Sequence, residues 1–344
     1  MPPIRSRVRD LGIIPGPLPT GPHNAITDVP GVRVGQVTLQ EGTRFNTGVT
    51  AIVPDALRER NAIPAGLFVG NGYGKLIGAT QLAELGEIET PIVLTGTLSA
   101  FRAADALVSY MLAQPGNEDM RSVSPLVGET NDGYLSDIRA RPITENMVFD
   151  ALDNATTGSV AEGCVGAGAG TNALGFKAGI GTASRQVTST GFTIGALVQS
   201  NFSGILTVLG VPIDADAALD DIREVDESAD LPGGNSCMII VATDAPLDSR
   251  QLDRISRRAV FAMARVGSAY THGSGDYGIA FSTGEGDRIP DRELDPFFAA
   301  TMDCVEEALL NSVFMANTTH GPENHIRHAV PVEFVLSQLR TWHP

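Results

Sequence analysis

The sequence predicts an α+β chain folded as a four-layer αββα sandwich, two packed sheets with helices on their outer faces. Three observations carry that expectation. Strand-like runs occupy the middle of each part of the chain, and amphipathic helical patterns flank them. Hydrophobic residues make up 42% and charged residues 19%, enough apolar side chain for a sizeable core. The 38 glycines are scattered rather than blocked, which indicates tight turns and close backbone approaches instead of low-complexity disorder. At 344 residues the chain suits one large domain of this kind.

The elements follow in order. Residues 1–30 are rich in Pro and Gly and read as an extended arm over the surface or a neighbouring subunit. Residues 32–39 alternate apolar and other side chains with the period of a half-buried strand, and 48–53 and 65–69 read likewise. Helical patterns cover 77–85 and 100–112, around an apolar strand at 92–94. A further helix is expected over 143–152, with Glu145 suited to its positively polarised first turn. Glycine dominates 163–181, but no Gly-Lys-Ser/Thr ending or Gly-x-Gly-x-x-Gly spacing is present. Close strand packing or a tight active-site wall explains that stretch better than a nucleotide loop. Residues 188–199 read as a strand that ends at Asn201, and 214–230 form an acidic, solvated connector. Beyond it lie a strand at 238–243, a helix from an Asp248 or Ser249 cap to about 266, and a strand at 277–282. A long helix over 294–317, with Phe298, Met302, Val305, Leu309 and Val313 on one face, and a short one over 331–339 complete the chain.

Charge and cysteine content exclude several classes. The balance of 24 basic against 40 acidic side chains gives a net charge of −16, which repels phosphate backbones, so nucleic acid is not an expected partner. Cys164, Cys237 and Cys304 are widely spaced, without Cys-x-x-Cys, and fit reduced thiols better than disulfides or zinc. No Asp/Glu/His grouping has metal-ligand spacing, and no cofactor is expected. No stretch approaches the roughly 18 apolar residues of a membrane span, and no apolar core follows the basic start. A cytoplasmic location is expected.

The chemistry centres on Leu231-Pro232-Gly233-Gly234-Asn235-Ser236-Cys237. Pro and two Gly allow a sharp turn before a buried strand, and that turn can present the Asn235 carbonyl to the Ser236 hydroxyl. If the attack cuts the chain, Ser236 gains an α-amine as its own base, with an intrinsic pKa near 8. A plain turn before a core strand explains the same residues. A Ser-His-Asp triad fits poorly, because Gly234-Asn235-Ser236-Cys237-Met238 lacks the second Gly of a nucleophile elbow. Ser274 and Asp276, two residues apart, point the same way if the segment is extended, and can relay a proton from an ammonium. Asn201 can face a developing oxyanion, or simply end a strand. Glu129 and Tyr134, in Val127–Tyr134, can anchor a substrate ammonium and donate to a tetrahedral intermediate; a polar surface turn is the plainer alternative.

Taken together, these residues resemble the family of L-aminopeptidase D-amidase/esterases and β-peptidyl aminopeptidases, to which nylon-oligomer hydrolases also belong. The resemblance rests on Asn24–Gly35, on Gly175–Arg185 and on the Gly-Asn-Ser junction, and it spans nearly the whole chain. It implies an αββα fold similar to that of N-terminal-nucleophile hydrolases but with different connectivity. It also implies a single self-processing domain, 1–344, cut between Asn235 and Ser236 into an α-chain of 1–235 and a β-chain of 236–344. The implied roles are Ser236 as nucleophile, Asn201 in the oxyanion hole, Ser274 and Asp276 beside the α-amine, Tyr134 in the active site and Glu129 on the substrate's amine. Small peptides or aminoacyl amides are the implied substrates, and a homo-oligomer, a tetramer of αβ units, the implied assembly. Some relatives carry Glu where Asp276 stands, so Asp276 reaches one methylene less. Lys75 stands where an acidic or apolar residue is expected, and Gly96 replaces a usual asparagine, so substrate preference does not carry over. Three alternatives remain at this stage. One is a hydrolase of β- or ω-amino-acid oligomers, and another an uncleaved binding protein on the same fold. A self-cleaving acetyltransferase of arginine biosynthesis is disfavoured, because it uses threonine.

Overall fold

The structure, a computed structural model, describes residues 5–220, 222 and 235–342. The Pro-Gly-Gly turn, most of the acidic connector beyond Asp220 and the side chain of Asn235 lie outside the described residues. Ten strands build the two main sheets: β1 Val32–Glu41, β2 Phe45–Pro54, β3 Ile63–Gly72, β4 Glu87–Ile88, β5 Ile92–Gly96, β6 Leu126–Thr130, β7 Ile180–Val187, β8 Phe192–Phe202, β9 Asn235–Thr243 and β10 Gly275–Ser282. One sheet has the order β1-β2-β5-β6 and the other β4-β3-β10-β9-β8-β7. The β5–β6 and β9–β10 pairs are parallel and their neighbours antiparallel.

Four helices, α1 Ala100–Leu112, α2 Glu145–Asp153, α3 Ser249–Ala262 and α4 Asp295–Phe314, cover the outer faces. Alternation along each strand sorts apolar side chains into three layers. Val34, Ile52 and Leu94 meet Leu197, Met238, Ile240 and Ile279 between the sheets. Val49, Ala51 and Val93 meet Ala103 and Leu107 of α1 and Val148 of α2. Ile239, Val241 and Ala280 meet Leu252 and Ile255 of α3 and Cys304, Val305 and Ala308 of α4. The expected αββα order is thus observed. No helix among the described residues is long and apolar enough to cross a membrane.

Several local expectations hold and several shift. Asp248 caps α3 by accepting from the Gln251 N–H while Gln251 reaches back to the Asp248 N–H, a reciprocal box that secures the first turn. At α2 the cap is Thr144, with Glu145 in the first turn. The strand expected over 188–199 starts later and runs further, as β8 at 192–202, because 188–191 is the turn of the hairpin that joins it to β7, with Gly191 at φ 82°. α4 is buried on nearly all sides rather than along one face. Its Glu307 has a fully buried side chain, held by Arg185 at 2.6 Å and Arg9 at 2.7 Å. Such a carboxylate is tolerable inside only because paired cations and donors replace its water. Arg9 and Arg7, which pairs with Glu162 at 2.7 Å, bind the N-terminal segment to its own chain, with Val8 fully buried.

Candidate active site

Ser236 is the second residue of β9, one of the two central strands of the six-stranded sheet, and is 6% exposed. In register it lies opposite Asn201 of β8 and beside Gly275 of β10. Directly opposed residues of an antiparallel pair share a face, so the Ser236 and Asn201 side chains project together. Met238, two residues on, belongs to the inter-sheet core, which assigns that face to the space between the sheets.

Asn201 is buried and its amide is fixed at both ends. Oδ1 accepts from the Asn172 N–H at 3.1 Å, and Nδ2 donates to the Asn131 carbonyl at 3.0 Å. That arrangement settles which end carries the nitrogen and leaves the second Nδ2 hydrogen for a ligand on the Ser236 side. Asn201 is the last residue but one of β8, at the strand end the sequence suggests. Asn172 was invisible to sequence reasoning. It closes the glycine-rich stretch, where methyls at Gly168 and Gly170 would meet backbone at 2.4 and 2.1 Å, as expected of a tight wall.

Ser274 and Asp276 flank Gly275 on the other side of Ser236. Ser274 Oγ donates to Asp276 Oδ1 at 2.7 Å, as the two-residue spacing predicts, and Asn71 Nδ2 donates to Oδ2 at 2.9 Å. Burial pushes the Asp276 carboxyl above the ordinary carboxylate range, opposed by those two hydrogen bonds. Asp276 is in register with Cys237, whose side chain lies in the helix-side core, so the carboxyl stands on the opposite face from the Ser236 hydroxyl. The main-chain nitrogen of residue 236 lies between the two.

Glu129 differs from the surface-turn alternative. It is 2% exposed on β6, accepting the Thr97 hydroxyl on Oε2 and the Lys75 N–H on Oε1 at 2.7 Å. A carboxylate with two oxygens has lone pairs left for a further cation. The 73–75 loop ties it to the Ser236 region: the Tyr73 N–H donates to the Ser274 carbonyl at 3.1 Å, and the Tyr277 hydroxyl to the Gly74 carbonyl at 2.8 Å. Tyr134 stacks on His325 at 4.2 Å and lies under the Arg327 guanidinium at 4.5 Å, three residues after the Asn131 that holds Asn201. Beside Asn131, Asp132 is buried, accepts the Thr47 hydroxyl at 2.5 Å, and is pushed up to about 6 by burial. Gly96 belongs here too, since a methyl at that position would stand 2.6 Å from the Asp132 carboxylate.

A hydroxyl, a fixed amide donor and a buried carboxylate, gathered on three adjacent strands, suit acyl transfer. The model of peptidase family S58 matches residues 24–327. The chain belongs to peptidase family S58. It is a serine aminopeptidase/amidase, a hydrolase acting on peptide and amide bonds. The S58 chain is 35% identical to a β-peptidyl aminopeptidase of Sphingosinicella microcystinivorans, over 94% of its own length and 89% of that protein's. A solved protein of Pyrococcus horikoshii OT3 is 42% identical, covers 98% of this chain and 100% of its own, and superposes with a TM-score of 0.88. The L-aminopeptidase D-Ala-esterase/amidase of Ochrobactrum anthropi, described as a variant among the Ntn hydrolase fold, is 35% identical, covers 98% and 99%, and also gives 0.88. The S58 fold is therefore the Ntn-like sandwich that the resemblance implied.

Proposed function

We propose that this aminopeptidase/amidase cuts itself between Asn235 and Ser236 and uses the new N-terminal Ser236 as nucleophile and base. Ser236 Oγ attacks the substrate carbonyl and passes its proton to its own α-amine. The negative oxygen of the tetrahedral intermediate takes the second Nδ2 hydrogen of Asn201, with the Tyr134 hydroxyl as a further donor. Collapse expels the leaving amine, which takes the proton from the α-ammonium and leaves an acyl ester on Ser236. Water, activated by the same amine, then hydrolyses that ester. Ser274 and Asp276 orient the amine and stabilise it when charged, while Glu129 holds the free ammonium of the substrate. The observation that carries this reading is the register pair Ser236–Asn201, with the asparagine amide fixed by Asn172 and Asn131.

Ester hydrolysis follows from the same acyl intermediate. The proposal retains a homo-oligomer as the working form and a cytoplasmic setting, in keeping with three free cysteines and no disulfide among the described residues. The name of the Sphingosinicella relative favours a second substrate reading, β-amino-acid amides, which a panel of α-, β- and ω-aminoacyl amides separates from the first. Intact-mass measurement on the purified protein tests self-cleavage directly: two species, 1–235 and 236–344, are expected. Ser236→Ala should give one uncut chain with no turnover. An uncut wild-type chain that still hydrolyses aminoacyl amides would move the nucleophile elsewhere.

A further inference from the structure

We propose that Lys75 is a specificity-determining residue that recognises a carboxylate on the substrate. The inference rests on the reading of Ser236 and Glu129 as the reacting and amine-binding groups. Lys75 and Lys177 are the chain's two lysines, every other basic side chain among its Lys and Arg being arginine. Lys177 is fully buried behind the site, with its ammonium on the Gly168 and Ala178 carbonyls. Lys75 is half-buried, and its peptide N–H donates to Glu129 Oε1 at 2.7 Å. The two residues before it are bonded to Ser274 and Tyr277, and a methyl on Gly74 would stand 3.2 Å from the Cα of Gly275, the register partner of Ser236. The main chain of Lys75 is thus fixed between the strand that carries Glu129 and the strand beside Ser236.

Its ammonium is uncommitted. Among the described residues it forms no ion pair, and Nζ stands 5.6 Å from the centre of the Tyr73 ring, a side chain that is itself 68% exposed. In a chain of net charge −16, an anionic substrate is repelled at long range, and a cation at the site offsets that repulsion locally. A flexible ammonium beside a carboxylate fits a substrate that carries both charges: the amine on Glu129 and a carboxylate on Lys75. That carboxylate comes either from an acidic N-terminal residue or from the free C-terminus of a dipeptide.

Two matched pairs distinguish the sources: aspartyl against asparaginyl p-nitroanilide, and alanyl-alanine against its C-terminal amide. In one pair, Lys75→Gln should lower the acid-to-neutral ratio of kcat/KM about five- to tenfold, while Lys75→Arg keeps most of it. Raising salt from about 0.05 to 0.5 M should narrow the gap between the wild-type and Lys75→Gln ratios, because the long-range repulsion is common to both proteins and cancels in the comparison. Lys75→Gln ratios that stay within about twofold of wild type at both salt concentrations overturn the inference. If Ser236→Ala is inactive at the same time, the reading of Ser236 stands and the role of Lys75 alone falls. If the wild-type chain hydrolyses none of the four compounds, both fall together.

Discussion

Replacing Asn201 by alanine separates the proposed chemistry from the fold, because the residue has one hydrogen for a ligand and two bonds for structure. Loss of a single oxyanion donor typically costs 10²–10³ in kcat, about 2.7–4 kcal/mol. The structural cost falls mainly on the Asn172 N–H, which is buried and loses its acceptor at 3.1 Å. An orphaned buried donor costs about 1–3 kcal/mol, whereas Asn131 is exposed and water can replace its lost partner. Asn201→Ala should therefore stay folded, melt somewhat lower, and lose at least about two orders of magnitude in kcat with KM little changed. Saturating kinetics on an aminoacyl p-nitroanilide and a urea titration measure the two effects separately. A folded variant that retains more than a tenth of the wild-type kcat would refute Asn201 as the oxyanion donor.

Asp276→Asn removes the carboxylate beside the proposed α-ammonium and should lower kcat/KM about 10²-fold. Because burial raises the Asp276 carboxyl, wild-type kcat/KM should fall as pH drops through that raised value, and the variant should lose this acid limb; a persisting limb assigns it to another group. Asp132 titrates at about 6 in the folded chain, against about 3.9 in an unfolded one. The folded state then holds its proton more tightly, so its contribution is fully present below about pH 4 and lost as pH rises through about 6, a change of order 3 kcal/mol. Urea midpoints at pH 4 and pH 7 should show that loss in the wild type and a flatter response in Asp132→Asn; equal slopes would remove Asp132 as its source.

What the sequence made legible was periodic. Alternation over 32–39 and the apolar face from Leu252 to Val266 announced a strand and a helix, because burial of one face leaves a pattern in consecutive residues. The start of β8 was hidden for another reason: its turn, Thr188-Ser189-Thr190-Gly191, is wholly polar, but threonine also suits a strand, and only Gly191 marks the reversal. Ser274 and Asp276 could be paired by their spacing, since their contact is local. Asn172, Asn71 and Thr97 left no such signal. Each acts through one hydrogen bond to a residue at least 29 positions away, and single Asn or Thr residues are common in turns. Glu129 was singled out for its charge, but its burial on a strand depended on Thr97 and Lys75 arriving from elsewhere.

Strand geometry would allow the proposed double role of Ser236, nucleophile and base. Along β9, Met238, Ile240 and Ala242 enter the inter-sheet core while Cys237, Ile239 and Val241 enter the helix-side core. This alternation fixes the Ser236 side chain on the Asn201 face and leaves its nitrogen in the plane of the sheet. After a cut at that nitrogen, the ammonium lies between its own hydroxyl on one face and the Ser274–Asp276 pair on the other. A slip of one residue would exchange the faces, turning Cys237 towards Asn201 and Ser236 towards Asp276. It would also drive every core residue of β9 into the wrong layer, so the apolar run that follows Ser236 holds the proposed nucleophile to its face.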